Sequence, residues 1–393
     1  MFIGLSGIAS RKGRYRALGV IQYANALAPE AEYRQLVTEP AYDRTKKSLA
    51  RVSCTMIDFA YDFKRVISGW VTELLGPLIG KKMKLRVNRI IFLVGISAVF
   101  SVGAVGLEAQ AVPRTRLVLL GTGTPNADPE RSGPAAAVVV DDRAYLIDAG
   151  PGIVRRAALA AREKDISALT AARLNHVFIT HLHSDHTVGL PDLLYTPWVL
   201  DRPDPLNVFG PLGISRMMRG IAEAWADDIS IRIDGLEPRG ANRDGYRPNT
   251  NEIHPGLVYE DELVRVYAIP VKHGSWEYSY GYRFEGPDRT IVISGDAAPS
   301  ESLVEACNGC DVLLHEVYSA ERFTTRPPEW QVYHSQFHTS TIELADIVNR
   351  ARPGMLVLYH QLLWGTDDAG LISEIRAAGY GGPLASGKDL DVY

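Results

Sequence analysis

The longest uncharged run of the chain, IIFLVGISAVFSVGAVGL at Ile90–Leu107, stands apart from everything that follows it. Lys81, Lys82, Lys84, Arg86 and Arg89 crowd its N-terminal side, and Glu108-Ala-Gln-Ala111 follows it. A cationic flank, an apolar stretch and a small-residue A-x-A site together describe a secretory leader, here starting at Met83. Cleavage after Ala111 would leave a mature chain from Val112. The rival is an uncleaved single-helix anchor, because this run is just long enough to span a bilayer. Lys/Arg bias would then hold residues 1–89 inside and export the rest. The expected division is therefore 1–82 as an upstream extension of unknown structure, 83–111 as leader or anchor, and 112–393 as the working domain. The extension has some helical spacing at Asp58–Leu75 and no motif.

Beyond Thr115 the apolar runs shorten, and Gly, Pro and Asp punctuate them. Strands are predicted at Arg116–Leu120, Ala135–Val140, Ala144–Ile147, His176–Thr180, Leu263–Val271, Gly281–Glu285, Thr290–Ser294, Val312–Leu314 and Met355–Leu358. Helices are predicted around Ile153–Arg162, Ser300–Cys307 and Thr341–Ala351. Strands and helices mixed in this way predict one α/β domain, with two sheets inside and helices outside.

Charge sharpens the division. Residues 1–89 carry 16 Lys+Arg against 7 Asp+Glu, and the remainder carries 26 against 39. A basic leader before an acidic body fits export before it fits nucleic-acid binding. Three cysteines exclude a disulfide framework. Cys307-x-x-Cys310 reads as a helix end and a strand start, although an exported protein could oxidise it.

The chemistry concentrates at Thr180-His-Leu-His-Ser-Asp-His186. His181 and His183, leaving a strand end two residues apart, can converge on one cation, while Asp185 and His186 can reach a second beside it. Imidazole with carboxylate suits zinc, and also manganese or iron.

This segment is similar to the H-x-H-x-D-H signature of the metallo-β-lactamase superfamily, and the chain from Arg116 onward resembles its ribonuclease Z and arylsulfatase-like branch. The landmarks come in that branch's order: Leu119-Leu-Gly-Thr-Gly-Thr-Pro125, Leu206-Asn-Val-Phe-Gly-Pro211, Val271-Lys-His-Gly274 with Tyr280-Gly-Tyr-Arg283, Ser294-Gly-Asp296, Leu314-His-Glu316, His338-Thr-Ser-Thr341 and Tyr359-His360. The resemblance implies a four-layered αββα sandwich holding two divalent ions, zinc before manganese or iron. It implies that His181, His183 and His273 bind metal 1, that Asp185, His186 and His360 bind metal 2, and that Asp296 bridges them. Asp185 and His338 are the expected catalytic residues, with His338 as general acid and His334 as its rival. His315 and Glu316 are expected to support the ligands from behind, as is Asp148. His176 and His254 are expected to be structural. Trp276, Tyr278 and Tyr333 are candidates for an aromatic wall.

Two ions would activate water for ester hydrolysis. The segment after the last ligand, Gln361-Leu-Leu-Trp364, departs from the phenylalanine, serine and arginine of ribonuclease Z, and no Lys/Gly-rich arm is seen. With the acidic body, this favours an exported (periplasmic or secreted) hydrolase of small phosphodiester or sulfate esters over a nucleic-acid enzyme. The alternatives are a tRNA 3′-processing endonuclease and a lactone or β-lactam hydrolase. A metal-binding module without catalysis is disfavoured, because binding needs no general acid. Membrane contact is expected only through residues 90–107, and self-association as a homodimer is left open.

Overall fold

The computed structural model describes residues 113–237 and 241–393. The leader, residues 1–82 and the helical spacing at Asp58–Leu75 lie outside the described residues. Among the described residues, no helix is long and apolar enough to cross a membrane.

The first sheet begins with β1 (Thr115–Gly121), β2 (Ala135–Val140) and β3 (Arg143–Ile147), and α1 (Ile153–Glu163) follows. After β4 (His176–Phe178) come α2 (Ser184–Thr187), α3 (Leu190–Val199) and β5 (Leu206–Gly210). The helices α4 (Ile214–Ala224) and α5 (Ala226–Asp234) then lead to β6 (Pro248–Glu252). The second sheet takes β7 (Gly256–Glu260), β8 (Arg265–Pro270), β9 (Tyr280–Glu285) and β10 (Thr290–Ile293). It continues after α6 (Glu301–Cys307) with β11 (Val312–Tyr318). The chain closes with α7 (Ala320–Phe323), α8 (Pro328–Phe337), α9 (Thr341–Ala351), β12 (Met355–Leu362), α10 (Asp368–Ala377) and β13 (Leu384–Ser386). Strand order is β1-β2-β3-β4-β5-β6 in one sheet and β13-β12-β11-β10-β9-β8-β7 in the other.

Alternation along each strand creates the layers, because successive side chains point to opposite faces. Leu117 and Leu119 of β1 meet Phe178, Tyr282, Phe284 and Ile293 in the core between the sheets. Val118 and Leu120 face outward and are covered by Ile153 and Ala157 of α1 and Leu194 of α3. The second sheet repeats the scheme: Leu314 and Val357 face inward, while Leu313 and Leu358 pack on Leu303 of α6 and Leu344 and Val348 of α9. Burial on both faces is why these strands read as continuous apolar runs. The architecture is the expected four-layered αββα sandwich.

Four short strands, β5, β6, β7 and β13, escaped the sequence reading. β6 (PNTNE) is polar and half exposed; β7 and β13 are sheet edges, so burial never shaped their pattern. Cys307 and Cys310 form a disulfide, with Cα atoms 4.7 Å apart. It is buried at the junction of α6 and the approach to β11.

One end of the sandwich collects the chemistry. β3, β4, β5 and β6 run parallel, as do β10, β11 and β12. β8 is antiparallel to β9, and β9 to β10, so β8 and β10 share a direction. The residues following β3, β4, β8 and β10, and the last residues of β11 and β12, therefore emerge side by side, where parallel sheets commonly bind ligands.

Candidate metal centre

The loop after β4 delivers His181 and His183, and the single turn α2 delivers Asp185 and His186. His273 follows β8 and Asp296 follows β10. Gly295, between Ser294 and Asp296, has φ +62°, and a side chain there would collide with Tyr280 O and Thr180. Glycine thus lets the loop of one sheet touch the loop of the other. Gly274 does the same against the Phe337 ring, beside His273.

His360 arrives by a different device. Tyr359 pairs with Glu316 and Gln361 pairs with Val317, so His360 is the extra residue of a β-bulge. Its φ is +44°. A bulge re-aims a side chain, here into the cleft.

Two clusters result. His181 Nε2 lies 2.9 Å from His183 Nδ1, and His273 Nε2 lies 3.1 Å from that same atom. Asp296 Oδ2 stands 4.0 and 3.9 Å from His181 and His273. In the second cluster Asp185 Oδ2 is 3.5 Å from His186 Nε2 and 3.4 Å from His360 Nε2. Asp296 Oδ2 is 3.4 Å from each of those nitrogens. Asp296 therefore belongs to both clusters. Tetrahedral ligands about 2.0–2.1 Å from one ion stand about 3.3 Å apart, close to these spacings.

Electrostatics fit a cation in each cluster. Burial holds His181, His183 and His273 below the usual histidine range, His273 at about 3. These imidazoles are neutral, the form that binds metal. Burial opposes charge on His186 and His360 too, but Asp296 reverses it and both are raised. The carboxylates there call for a positive charge, which an ion supplies. His186 Nε2 and Asp296 Oδ1 are buried without a hydrogen-bond partner, as expected of atoms reserved for a ligand. The residues present fit a pair of divalent ions.

Outer contacts orient the rings. His186 Nδ1 meets Asp148 Oδ2 at 2.7 Å, and Asp148 also accepts from Thr180 N at 2.8 Å. His181 Nδ1 meets Thr180 Oγ1 at 2.9 Å, and His273 Nδ1 meets Phe337 O at 2.7 Å. Such partners set ring orientation and basicity in metal sites. The Trp276 indole Nε1 lies 2.8 Å from His183 Nε2. Trp276 thus walls the cleft, while Tyr333 stacks on Phe337 at 4.1 Å. Tyr278 instead packs at the margin of the inter-sheet core.

His338 is buried between the clusters and α8, its ring 5.8 Å from that of His360. Ser340 caps α9, through a capping box with Glu343. His338 Nδ1 faces Glu316 Oε2 at 3.4 Å. Burial lowers His338 to about 4 and raises Glu316 well above the carboxylate range. Glu316 faces the site as expected, and its other oxygen accepts from Thr339 N at 2.9 Å. His315 does not: adjacent strand residues point to opposite faces, and its Nδ1 meets only the Glu316 carbonyl. His334, one turn before His338, packs against Trp364, ring centres 4.5 Å apart, rather than entering a cluster. His176 packs with Tyr145 and Tyr259 at the far end of the sandwich, and His254 is exposed.

A family model described as the beta-lactamase superfamily domain matches residues 143–361. The chain is 32% identical over 281 residues to ribonuclease Z of Mycobacterium bovis, covering 70% of this chain and 96% of that protein. Ribonuclease Z of Mycobacterium tuberculosis is 30% identical over 281 residues, with the same shares covered. Among solved structures, the metallo-beta-lactamase fold protein YhfI from Bacillus subtilis matches with a TM-score of 0.55, at 15% identity, over 72% of this chain and all of that one. The short form of human tRNase Z matches with a TM-score of 0.53, at 21% identity, over 71% and 98%. At these identities both structures speak to the fold alone.

Proposed function

Because the chain belongs to the metallo-β-lactamase superfamily, in its ribonuclease Z branch, we propose that this metal-dependent hydrolase cleaves RNA phosphodiesters, as a tRNA 3′-processing endonuclease. The observation that carries this reading is similarity along nearly the whole length of ribonuclease Z, joined to one cleft that holds both candidate metal clusters and the Glu316–His338 pair.

Divalent ions held by the two clusters would supply Lewis acidity to a phosphoryl oxygen and a water-derived nucleophile at neutral pH. The chain's own residues do the rest. Asp296 fixes the separation of the clusters by serving both. Asp185 holds the second cluster and faces the cleft as a proton acceptor. His338, with Glu316 Oε2 3.4 Å from its Nδ1, is placed to protonate the departing oxygen as general acid.

This reading revises the expectation of a small-ester substrate. That expectation leaned on the Gln361–Trp364 departure, the missing arm, the export pattern and net charge, the last of which averages over faces that never meet a substrate. It retains one physical point. Between β5 and β6, Arg232 pairs with Asp228 at 2.9 Å, Arg243 with Asp234 at 2.6 Å and Arg247 with Asp244 at 3.8 Å. Those three offer little grip on phosphates.

Export is a second reading, favoured by the Cys307–Cys310 disulfide and the leader pattern, since disulfides persist in oxidising compartments. Trapping thiols in freshly broken cells tests it: unreacted Cys307 and Cys310 in an exported fraction support it, and fully alkylated cysteines in a cytoplasmic product overturn it.

The activity test runs a tRNA precursor with a 3′ trailer beside bis(p-nitrophenyl) phosphate, p-nitrophenyl sulfate, nitrocefin and a homoserine lactone. Removal of the trailer at a kcat/KM above every other substrate is expected. An intact precursor alongside rapid sulfate or lactam hydrolysis would overturn the reading.

A further inference from the structure

We propose that Arg326, Trp364, His334 and Trp330 form a subsite that grips the nucleotide on the leaving-group side of the scissile phosphate. The proposal rests on the RNA reading above and names where that RNA is held.

The four side chains make a continuous ladder. The Arg326 guanidinium lies over the Trp364 ring, 5.2 Å from its centre. Trp364 meets His334 at 4.5 Å, and Trp330 stacks on His334 at 5.6 Å with ring planes 25° apart. His334 is in turn 5.6 Å from His338. The ladder therefore runs from the surface to the group that protonates the leaving oxygen. α8 imposes the first step: Trp330 and His334 are four positions apart and share one helix face, and His338 follows directly at the helix C-terminus.

Three features separate the ladder from ordinary packing. Trp330 is 45% exposed, so its outer ring face is open to a stacking partner. Arg326 makes no ion pair among the described residues, and its Nε is buried without a hydrogen-bond partner. This contrasts with the acid-paired Arg232, Arg243 and Arg247. His334 is more than nine-tenths buried, and its Nδ1 also lacks a partner. An open aromatic face at one end of the ladder, an unspent cation at the other and an unmet ring nitrogen between them offer separate grips for a base and for a backbone phosphate. Single-stranded RNA is held this way, by stacking together with backbone charge. Trp364 is also where the segment after His360 departs from ribonuclease Z. The departure thus builds the aromatic floor under Arg326.

The test uses the full metal-loaded chain and two probes. The first is steady-state cleavage of the tRNA precursor; the second is fluorescence anisotropy of a labelled six-nucleotide single-stranded RNA, which needs no cleavage. One base–aromatic stack is worth about 5- to 150-fold in affinity. Trp330→Ala should raise the RNA KM about ten-fold while kcat stays within about two-fold, and Trp330→Phe should restore most of the loss. Arg326→Ala should weaken hexamer binding and flatten the slope of log K against log salt by about 0.7, one phosphate contact. Circular dichroism and metal content check that the variants fold. If neither variant changes hexamer binding, or if wild type binds no hexamer, the proposal is overturned. If wild type binds the hexamer through these residues but leaves the precursor uncut, the subsite stands and the processing activity falls.

Discussion

Asp261 and Asp296 are both poorly exposed carboxylates held by strand ends, and they lie at opposite ends of the sandwich. Asp261 is saturated. Its Oδ1 accepts from Leu263 N at 2.8 Å and Val264 N at 2.9 Å. Its Oδ2 accepts from Arg143 and Tyr145, each at 2.7 Å, and from Tyr259 at 2.8 Å. Asp296 has one oxygen with no partner and the other surrounded by four imidazole nitrogens. Each cluster includes histidine, acid and aromatic side chains, so composition does not separate them. Satisfaction does. A buried polar group that folding leaves unmet costs about 1–3 kcal/mol, and it persists where a ligand completes it. The Asp261 network is a structural knot and the Asp296 network is a receptor.

Breaking the receptor at its shared member gives the largest expected effect. Asp296→Ala removes a ligand from both clusters, so metal analysis should find fewer than two ions per chain. Hydrolysis should fall by about 10³-fold or more, because ions contribute several kcal/mol to the transition state. A variant that keeps two ions and most of its activity would place the bridge elsewhere.

Breaking one half tests whether the clusters are separable. Asp185→Ala should leave the three-imidazole cluster loaded, at about one ion per chain, and remove most activity. His183→Ala should spare the Asp185 side instead. If both variants lose both ions equally, the clusters are one cooperative site, and the division drawn from the distances fails.

Legibility in the sequence follows the same division of the molecule. His181, His183, Asp185 and His186 sit within six residues of one strand exit, so local spacing alone reveals them. His273, Asp296 and His360 come from three strand ends far apart in the chain, and only the resemblance brings them in. The reasons they meet are non-local: glycine at 295 avoiding Thr180, glycine at 274 avoiding Phe337, and a bulge placing His360. No window of sequence shows a bulge. Most strands buried on both faces were legible from their apolar runs, whereas β6, β7 and β13 were not, since edge or polar strands lack that pattern, and the interior β5 was missed because Asn207 interrupts a run of only five residues. The disulfide was also hidden, because C-x-x-C spacing does not say whether a helix end will bring the two sulfurs together. His315 misled because two neighbours in a strand share a motif but not a face.

His338 offers a finer break within the receptor. Its ring nitrogens reach Asp296 and His360 closely enough to be a ligand, yet its Glu316 partner suits a proton donor. General acid help is worth about 10²–10⁴-fold and matters most for poor leaving groups. His338→Ala should keep about two ions, slow an alkyl phosphodiester strongly and slow a p-nitrophenyl ester much less. Loss of an ion with equal slowing of both would make His338 a ligand.

The smallest expected effect comes from the knot, and its sign can be worked out. Burial alone would raise Asp261, but the Tyr145 hydroxyl and the backbone amides of Leu263 and Val264 outweigh it and hold the carboxyl at about 2. The unfolded chain titrates near the ordinary value of about 3.9. A folded value below the unfolded one means that the stabilisation is complete above about pH 4 and is lost as pH falls through about 2. Asp261→Asn removes that ionisation and weakens the bonds to Arg143 and both tyrosines. At pH 7 the variant should lose about 1–3 kcal/mol, a drop of about 2–4 °C in Tm per kcal/mol. Its Tm should also fall less steeply than wild type between pH 5 and pH 3. Metal content should not change, because β3 places this network about 15 Å from Asp148 and the cleft. Thermal melts at both pH values, read beside metal analysis, check the pair of outcomes. An Asp261→Asn protein that loses ions, or that keeps the wild-type acid dependence, would erase the distinction between knot and receptor.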